Sequence, residues 1–590
     1  MIPHRSTALI TIVIFVALLL VIFSSSSTPD SATAGEESGA SKYRPKLPSL
    51  GDFHLPYFRP SAHKPPEQKN STSGESKWFS DFTWINPFSS SITLDENRSV
   101  LPPLPKRPFI YTYYDSKNRR DPEEENADAQ LILAWRRAWF AQGFLPVVLG
   151  RGEAMRNPYY ERVQKLDLRP ELEQDLFRWL AWGHMGTGLL SDLRCFPMAR
   201  YEDGVLSYLR RGAINTHITR FDHVRDCLFA GEKTKINGAI NDAIKNVGDK
   251  SSSMLELVPA ESFKTENPGP LAFYSPSTIA THYPTLSEKI VSAPKSGRLA
   301  LVELINSHLH NNFQNAFPAG IAILKPFPEH TTALVEPALR LAKALVQCPA
   351  HSMPPSCPPN RQTCDICGSG KPMRISQPET YKNASYLYTI GTLPHPYTLI
   401  SLQQTSEEVT TRHIRRETER DPWLKEVTKE HLGSGIAGSS RTMVLKQIVA
   451  DDATRGNSLW MTVESLPAEV GQSLPSALLD EFEWQLGFKI PRDGKVDAKN
   501  EGEKKETVQD SNPSKGGVER EYDLLQQARD VLKSKETNRI SIKDVAEAWN
   551  LADTEIWRFV RAYRARSVVE RKKWEEDEKD FVGATPRQQG

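Results

Sequence analysis

The run Ala8–Phe23, ALITIVIFVALLLVIF, holds sixteen residues without a charge, and no other feature constrains this chain as strongly. Coiled as a helix it covers about 24 Å, close to the roughly 30 Å hydrocarbon core of a bilayer. The serines that follow it, or local thinning of the bilayer, close the difference at modest cost. His4 and Arg5 precede the run, and Asp30, Glu36 and Glu37 follow it. Cationic flanks stay on the cytosolic side, so the C-terminal mass is expected in the lumen of the secretory pathway. The alternative is a cleaved signal peptide, with Ala32, Thr33 and Ala34 as its small-residue site. The run is longer than the usual h-region of about 7–15 residues, which favours a single-pass anchor. Either route delivers the rest of the chain to the same compartment.

Two features fit an oxidising lumen. Sequons for N-glycosylation begin at Asn70, Asn97 and Asn383, and the six cysteines are an even number. The net charge of +1 supplies no general attraction for nucleic acid, so none is expected as a partner.

The organisation read from composition is a cytosolic tail (1–7), the anchor (8–23), a flexible stem (24–107) rich in Ser, Pro and charge, a folded lumenal domain (108–492), a disordered linker (493–518) and a helical tail (519–583). A Cys- and Pro-rich insertion occupies 348–378. The folded part opens on the β-rich run Phe109–Tyr114. Leu131, Trp135, Ala138 and Trp139 then recur at helical spacing, Gly143 is a stop, and Leu145–Leu149 is a second strand. This predicts a parallel βαβ unit and an α/β fold. An amphipathic helix is predicted over Glu171–His184, broken at Gly186, followed by a buried strand that ends in the carboxylate of Asp192. Ligands of open α/β sheets gather at the carboxyl ends of strands, which makes Asp192 a candidate site residue on topology alone.

These same residues carry a resemblance. Asp175, Leu176, Phe177, Arg178, Trp179, Leu180 and Ala181, then Gly186, Thr187 and Gly188, then Ser191, Asp192, Leu193 and Arg194, then Pro197 follow the order of GT-A glycosyltransferases with a DxD motif. The stretch is most similar to the group that contains fungal α-mannosyltransferases and capsular-polysaccharide sugar transferases. The likeness covers roughly residues 108–240. It implies a GT-A-like, Rossmann-type domain with additions and a small C-terminal helical segment. It also implies transfer of a hexose from a nucleotide sugar to a glycan, protein or lipid acceptor, in a type II protein of the Golgi membrane. The donor would be met by Tyr111, Thr112, Asp175, Arg178, Asp192 and Arg194. The implied cofactor is Mn2+ or Mg2+ on Asp192, a hard cation that neutralises the leaving diphosphate. Arg194, however, stands where the motif has its second aspartate. A guanidinium there either replaces the metal against the diphosphate, or marks a decayed site in a non-catalytic lumenal binding protein.

The remaining candidates carry bland readings beside the functional ones. Asp175 and Arg178 are three apart on a helix and could form a simple surface pair. Asp192 could be an ordinary turn residue. Among His217, Asp222, Glu232 and Lys233, Glu232 is the candidate base, or else a carboxylate at a helix N-terminus. His308 and His310 fall on different faces of a helix, which argues against a shared metal. Cys364 and Cys367 have zinc-knuckle spacing, yet no second such pair exists. Disulfides among Cys348, Cys357, Cys364 and Cys367, in one of three connectivities, are therefore expected. Cys195 and Cys227 either pair or remain buried thiols. Ile542–Leu551 followed by Ile556, Phe559 and Val560 has the spacing of a helix-turn-helix. In a lumenal chain this reads as a partner-binding helical appendage, with Trp557, Arg561 and Arg564 near its contact surface.

Overall fold

Strand β1 (Phe109–Tyr113), helix α1 (Pro122–Ala141) and strand β2 (Leu145–Leu149) form the predicted parallel unit, with Phe109 opposite Leu145 and Tyr113 opposite Leu149. The computed structural model describes residues 61–66, 106–115, 122–324 except 213–216, 225 and 249–252, 335–393 with short breaks, 448–449, 456–462, 474–492, 553–579 and 581. The apolar run 8–23, most of the stem, Asn70, Asn97, Asn383, the linker 493–518 and residues 542–551 lie outside the described residues. Among the described residues no helix is long and apolar enough to cross a membrane.

After β2 come α2 (Arg151–Met155), α3 (Pro170–Met185) and β3 (Gly188–Ser191). Helix α3 starts on Pro170 with Glu171 and Glu173 in its first turn, both favoured there by the fixed proline φ and the helix dipole. It stops at Gly186, whose φ of 94° suits a residue without a Cβ. Strands β4 (Cys195–Pro197), β5 (Ile218–Phe221) and β6 (Leu228–Gly231) follow, then α4 (Lys233–Asn246), β7 (Phe263–Glu266) and β8 (Leu271–Phe273). The six-stranded sheet has the order β2-β1-β3-β6-β5-β7. In it β6 runs antiparallel to both its neighbours, whereas β2, β1 and β3 are mutually parallel.

Alternation along β1 divides two apolar layers. Ile110 packs with Trp135 and Trp139 of α1, while Tyr111 packs with Trp179 and Trp182 of α3 and with Ile236 and Ile240 of α4. The sheet is thus covered on both faces, as a parallel sheet requires.

A second sheet was not foreseen in the sequence. Helix α5 (Pro294–Ala316) leads to β9 (Gly320–Leu324), and α6 (Val335–Val346) is followed by β10 (Ile375–Ser376), β11 (Leu387–Leu393) and β12 (Ser458–Thr462). These four strands are all parallel, in the order β10-β9-β11-β12. The 108–492 region is therefore α/β with two sheets, joined by one apolar core that runs from Trp135 through Leu304 to Ile323 and Ile390. At Gly391 a Cβ would overlap the Trp460 ring of the neighbouring strand. Gly391→Ala is expected to cost at least about 2 kcal/mol through overpacking, read as a lower urea midpoint at unchanged m-value.

Two expectations need correction. Residues 61–66 are not free stem: His63 is buried, bonded to Glu153 of α2, and its ring stacks on Phe581 at 3.7 Å. Nor is the C-terminal helix an appendage. Helices α7 (Ser476–Leu486) and α8 (Asp553–Asp577) pack on α1 through Trp484 and Trp574 against Phe140. Arg564 is spent on Glu481 of the same chain at 3.1 Å, and the side chains of Trp557 and Arg561 lie outside the described residues.

Candidate active site

Asp192 opens a tight turn at the end of β3. Its carbonyl accepts from the Cys195 N–H at 3.1 Å, and its own N–H donates to the Cys227 carbonyl at 2.9 Å. The side chain closes the turn by accepting from the Arg194 N–H at 2.8 Å, the local bond that makes aspartate a turn former. Three supports fix this turn. The Trp135 indole donates to Ser191 Oγ, the Trp139 indole donates to the Cys195 carbonyl, and a disulfide joins Cys195 to Cys227. The tryptophans legible as helical spacing in α1 therefore hold the strand end that carries the carboxylate.

The turn lines a cleft of about 660 Å³ at the carboxyl ends of β1 and β3. Five of the expected residues meet there: Thr112, Asp175, Arg178, Asp192 and Arg194. Thr112 Oγ1 is buried and lacks a hydrogen-bond partner among the described residues. A hydroxyl in that state is costly unless a ligand or water completes it. The Arg178 guanidinium donates to the Asp226 carbonyl at 2.9 Å and stands 3.8 Å from Asp175 Oδ1. Asp175 accepts from the Met254 N–H at 2.8 Å. Burial pushes the Asp175 carboxyl upward against the pull of Arg178. Asp192 moves the other way: burial opposes its charge, but the Arg194 guanidinium outweighs burial and holds the carboxyl below its ordinary value. Arg194 is raised in turn, chiefly by Asp192.

Two expected residues are not in the cleft. Tyr111 is fully buried under α3, because neighbouring residues of a strand face opposite sides and Thr112 has taken the cleft side. Its hydroxyl lies in the apolar layer, and burial drives it well above the ordinary tyrosine range. Glu232 precedes α4 at the far end of the sheet. Gly231 is opposite Gly188 and Leu228 is opposite Ser191, so Glu232 and Asp192 sit about five strand positions apart, roughly 16 Å. It cannot serve as base for a reaction beside Asp192.

The cleft also contains residues the sequence did not single out. Arg298 of α5 reaches Glu124 at 3.3 Å and Asp128 at 3.5 Å on α1, and Asp128 accepts from the Tyr114 hydroxyl. Such pairs join positions about 170 residues apart, a relation that no local spacing encodes.

The donor set does not fit the divalent cation implied by the resemblance. Both Asp192 oxygens are taken by Arg194, Oδ1 from Nε at 3.0 Å and Oδ2 from a terminal nitrogen at 3.1 Å. Among the described residues no group of three or more His, Cys, Asp or Glu is placed to hold a metal ion. The four cysteines of the insertion form nested disulfides, Cys348–Cys367 around Cys357–Cys364, which removes the zinc alternative. His308 bonds the Tyr274 hydroxyl and Ser356, while His310 bonds the Leu345 carbonyl and is pushed down to about 4 by burial. The two rings are separate structural groups.

Fold and site define an α/β protein with a polar cleft at the carboxyl ends of parallel strands. The chain belongs to the family described as "Domain of unknown function (DUF8765)", which matches residues 72–590. No curated protein and no solved structure matches it.

Proposed function

We propose that the cleft is the donor site of a GT-A-like glycosyltransferase of the Golgi lumen, which moves a hexose from a nucleotide sugar to a glycan, protein or lipid acceptor. The observation that carries the reading is the meeting of Thr112, Arg178, Asp192 and Arg194 around one hollow at the ends of β1 and β3. In such a transfer the bond from the anomeric carbon to the diphosphate breaks as a bond from an acceptor hydroxyl oxygen to that carbon forms. The nucleoside diphosphate leaves with the electron pair, the hydroxyl proton passes to solvent or to the leaving phosphate, and negative charge grows on the diphosphate oxygens. Arg178 and Arg194 offer planar, permanently charged forks for those oxygens. Thr112 Oγ1 offers a dry hydroxyl for the nucleotide. Asp192 acts as a positioning residue, holding the Arg194 fork through two hydrogen bonds.

The test uses the full chain, a panel of nucleotide sugars, and buffers with and without Mn2+ or Mg2+. The expected result is donor hydrolysis or transfer that falls about 100-fold or more in Asp192→Ala, the usual scale for losing a group that fixes transition-state charge. Wild-type protein that binds none of the donors overturns the enzyme reading. The Asp192–Arg194 pair also favours a second reading, a lumenal binding protein on a degenerate fold, because the carboxylate's charge is already matched by its neighbour's guanidinium. Donor binding without turnover is the outcome that selects it.

A further inference from the structure

A second large cavity lies away from Asp192, at the opposite end of the same strands. It encloses about 810 Å³ where Lys106, Arg107, Gly143 and Leu145 begin β1 and β2, and it is closed by α8 and the edge strand β12. Its end-to-end separation from the cleft is about one strand length, roughly 16 Å. Its volume falls within the range of small-molecule sites, about 300–1,000 Å³.

The lining is cationic and aromatic. Of its seven cationic side chains, Arg564 and Arg571 are neutralised by Glu481 and Glu575. The other five make no side-chain ion pair within 4 Å among the described residues and face two lining carboxylates, Glu570 and Asp577. Arg107 donates to the carbonyls of Phe140 and Phe144, and Arg210 donates to those of Gln142 and Tyr201. Carbonyl dipoles orient a guanidinium but do not cancel its charge. Burial accordingly presses Arg107 down to about 10 and lowers Arg210 as well. An uncompensated, desolvated cation is expensive, and an arriving anion relieves that cost. Beside these cations stand Trp484 and Trp574, and the Trp574 Nε1 is buried with no hydrogen-bond partner among the described residues.

We infer that this cavity binds a small phosphate ester carrying a ring, the phosphate on the Lys106–Arg107–Arg210–Arg211 side and the ring against the tryptophans. A phosphate monoester brings about two negative charges at pH 7, against an excess of three cations here. Arginine forks match its oxygens in pairs. Nucleotides and sugar phosphates share this chemistry. The site does not depend on the cleft at Asp192.

The experiment titrates the full chain with ADP, a hexose 1-phosphate and inorganic pyrophosphate, following tryptophan fluorescence and heat. Lys106 and Arg211 are exposed, so the double variant Lys106→Glu/Arg211→Glu is expected to fold normally. A binding event for ADP or the sugar phosphate that is weakened 10-fold or more in that variant and persists in Asp192→Asn is the expected result. The tighter of the two esters identifies the source. Absence of binding by both esters at millimolar concentration overturns the proposal, as does equal affinity of wild type and the double variant. Loss of binding in Asp192→Asn also overturns it, by moving the ligand to the other cleft. Pyrophosphate binding as tightly as both esters overturns the ring.

Discussion

Replacing Cys195 and Cys227 together by alanine is expected to lower the unfolding free energy by about 4 kcal/mol and to release the Asp192 turn. The bridge closes a loop of sequence separation 32, and the chain-entropy argument gives a loop of that size about 3.5–4 kcal/mol. Both cysteines are completely buried, so the lost sulfurs also leave unfilled space beside Phe196 and Leu228. The local consequence is more informative than the global one. Asp192 donates its N–H to the Cys227 carbonyl, and Arg178 is held by the carbonyl of Asp226, one residue earlier. Without the bridge, both contacts rest on an unanchored segment. Ligand affinity in the cleft should therefore fall further than in Cys357→Ala/Cys364→Ala, whose bridge has a separation of only 7 and lies in the insertion. Urea unfolding of the two double variants, compared with wild type at one pH, measures the first effect. A loss below about 1 kcal/mol for the Cys195/Cys227 pair would show that the turn is held by Trp135 and Trp139 alone.

That turn also shows how far the sequence could be read. Helix α3 was legible from its apolar period and its glycine stop, and β3 from the short apolar run that ends at a carboxylate. The βαβ unit was legible because the helical and strand periods change within thirty residues of one another. What periodicity does not carry is the face a strand residue takes when both faces are buried. Tyr111 and Thr112 are adjacent and equally hidden, and only the packing of Trp179 and Trp182 decides which points to the cleft. The second sheet escaped for a related reason. Strands β9, β11 and β12 are buried along nearly their whole length, so no alternation of polar and apolar residues marks them, and short buried segments of this kind do not announce themselves as strands rather than helix turns. The cavity beside α8 was out of reach altogether, since it brings Lys106, Arg210 and Trp574 together from three distant parts of the chain.

The docking of residues 61–66 makes the second large prediction, a stability that falls as pH rises through neutrality. His63 donates its backbone N–H to Glu153 at 2.7 Å, its Nδ1 lies 2.8 Å from the same carboxylate, and its Nε2 lies 3.1 Å from Glu578. Arg136 approaches the other Glu578 oxygen at 3.3 Å. His184, which faces the same segment, is pushed down by burial and adds no competing charge at neutral pH. Burial works against the His63 charge, but the hydrogen bonds and fields of Glu153 and Glu578 prevail and raise it to about 9. A histidine raised above its ordinary value of 6.5 stabilises the fold in its protonated form. That contribution is complete below about pH 6.5, declines as pH climbs, and is gone once the folded group loses its proton near pH 9. Its full size is on the order of 3 kcal/mol. Glu153, held below its ordinary value mainly by the His63 hydrogen bond once burial is overcome, acts at the acid end. Its contribution is present at neutral pH and fades as pH falls below the carboxylate range. His63→Gln removes the cation and leaves two buried carboxylates facing each other, a change that costs about 3–5 kcal/mol when one partner of a buried pair is lost. Wild type and His63→Gln compared by urea unfolding at pH 6, 7.5 and 9 should differ most at pH 6 and least at pH 9. Hydrogen exchange over residues 61–66 should lose protection in the variant. Parallel stability curves across that range would mean that His63 is neutral in the fold, and that the Phe581 stack and the backbone bond to Glu153 hold this segment in place.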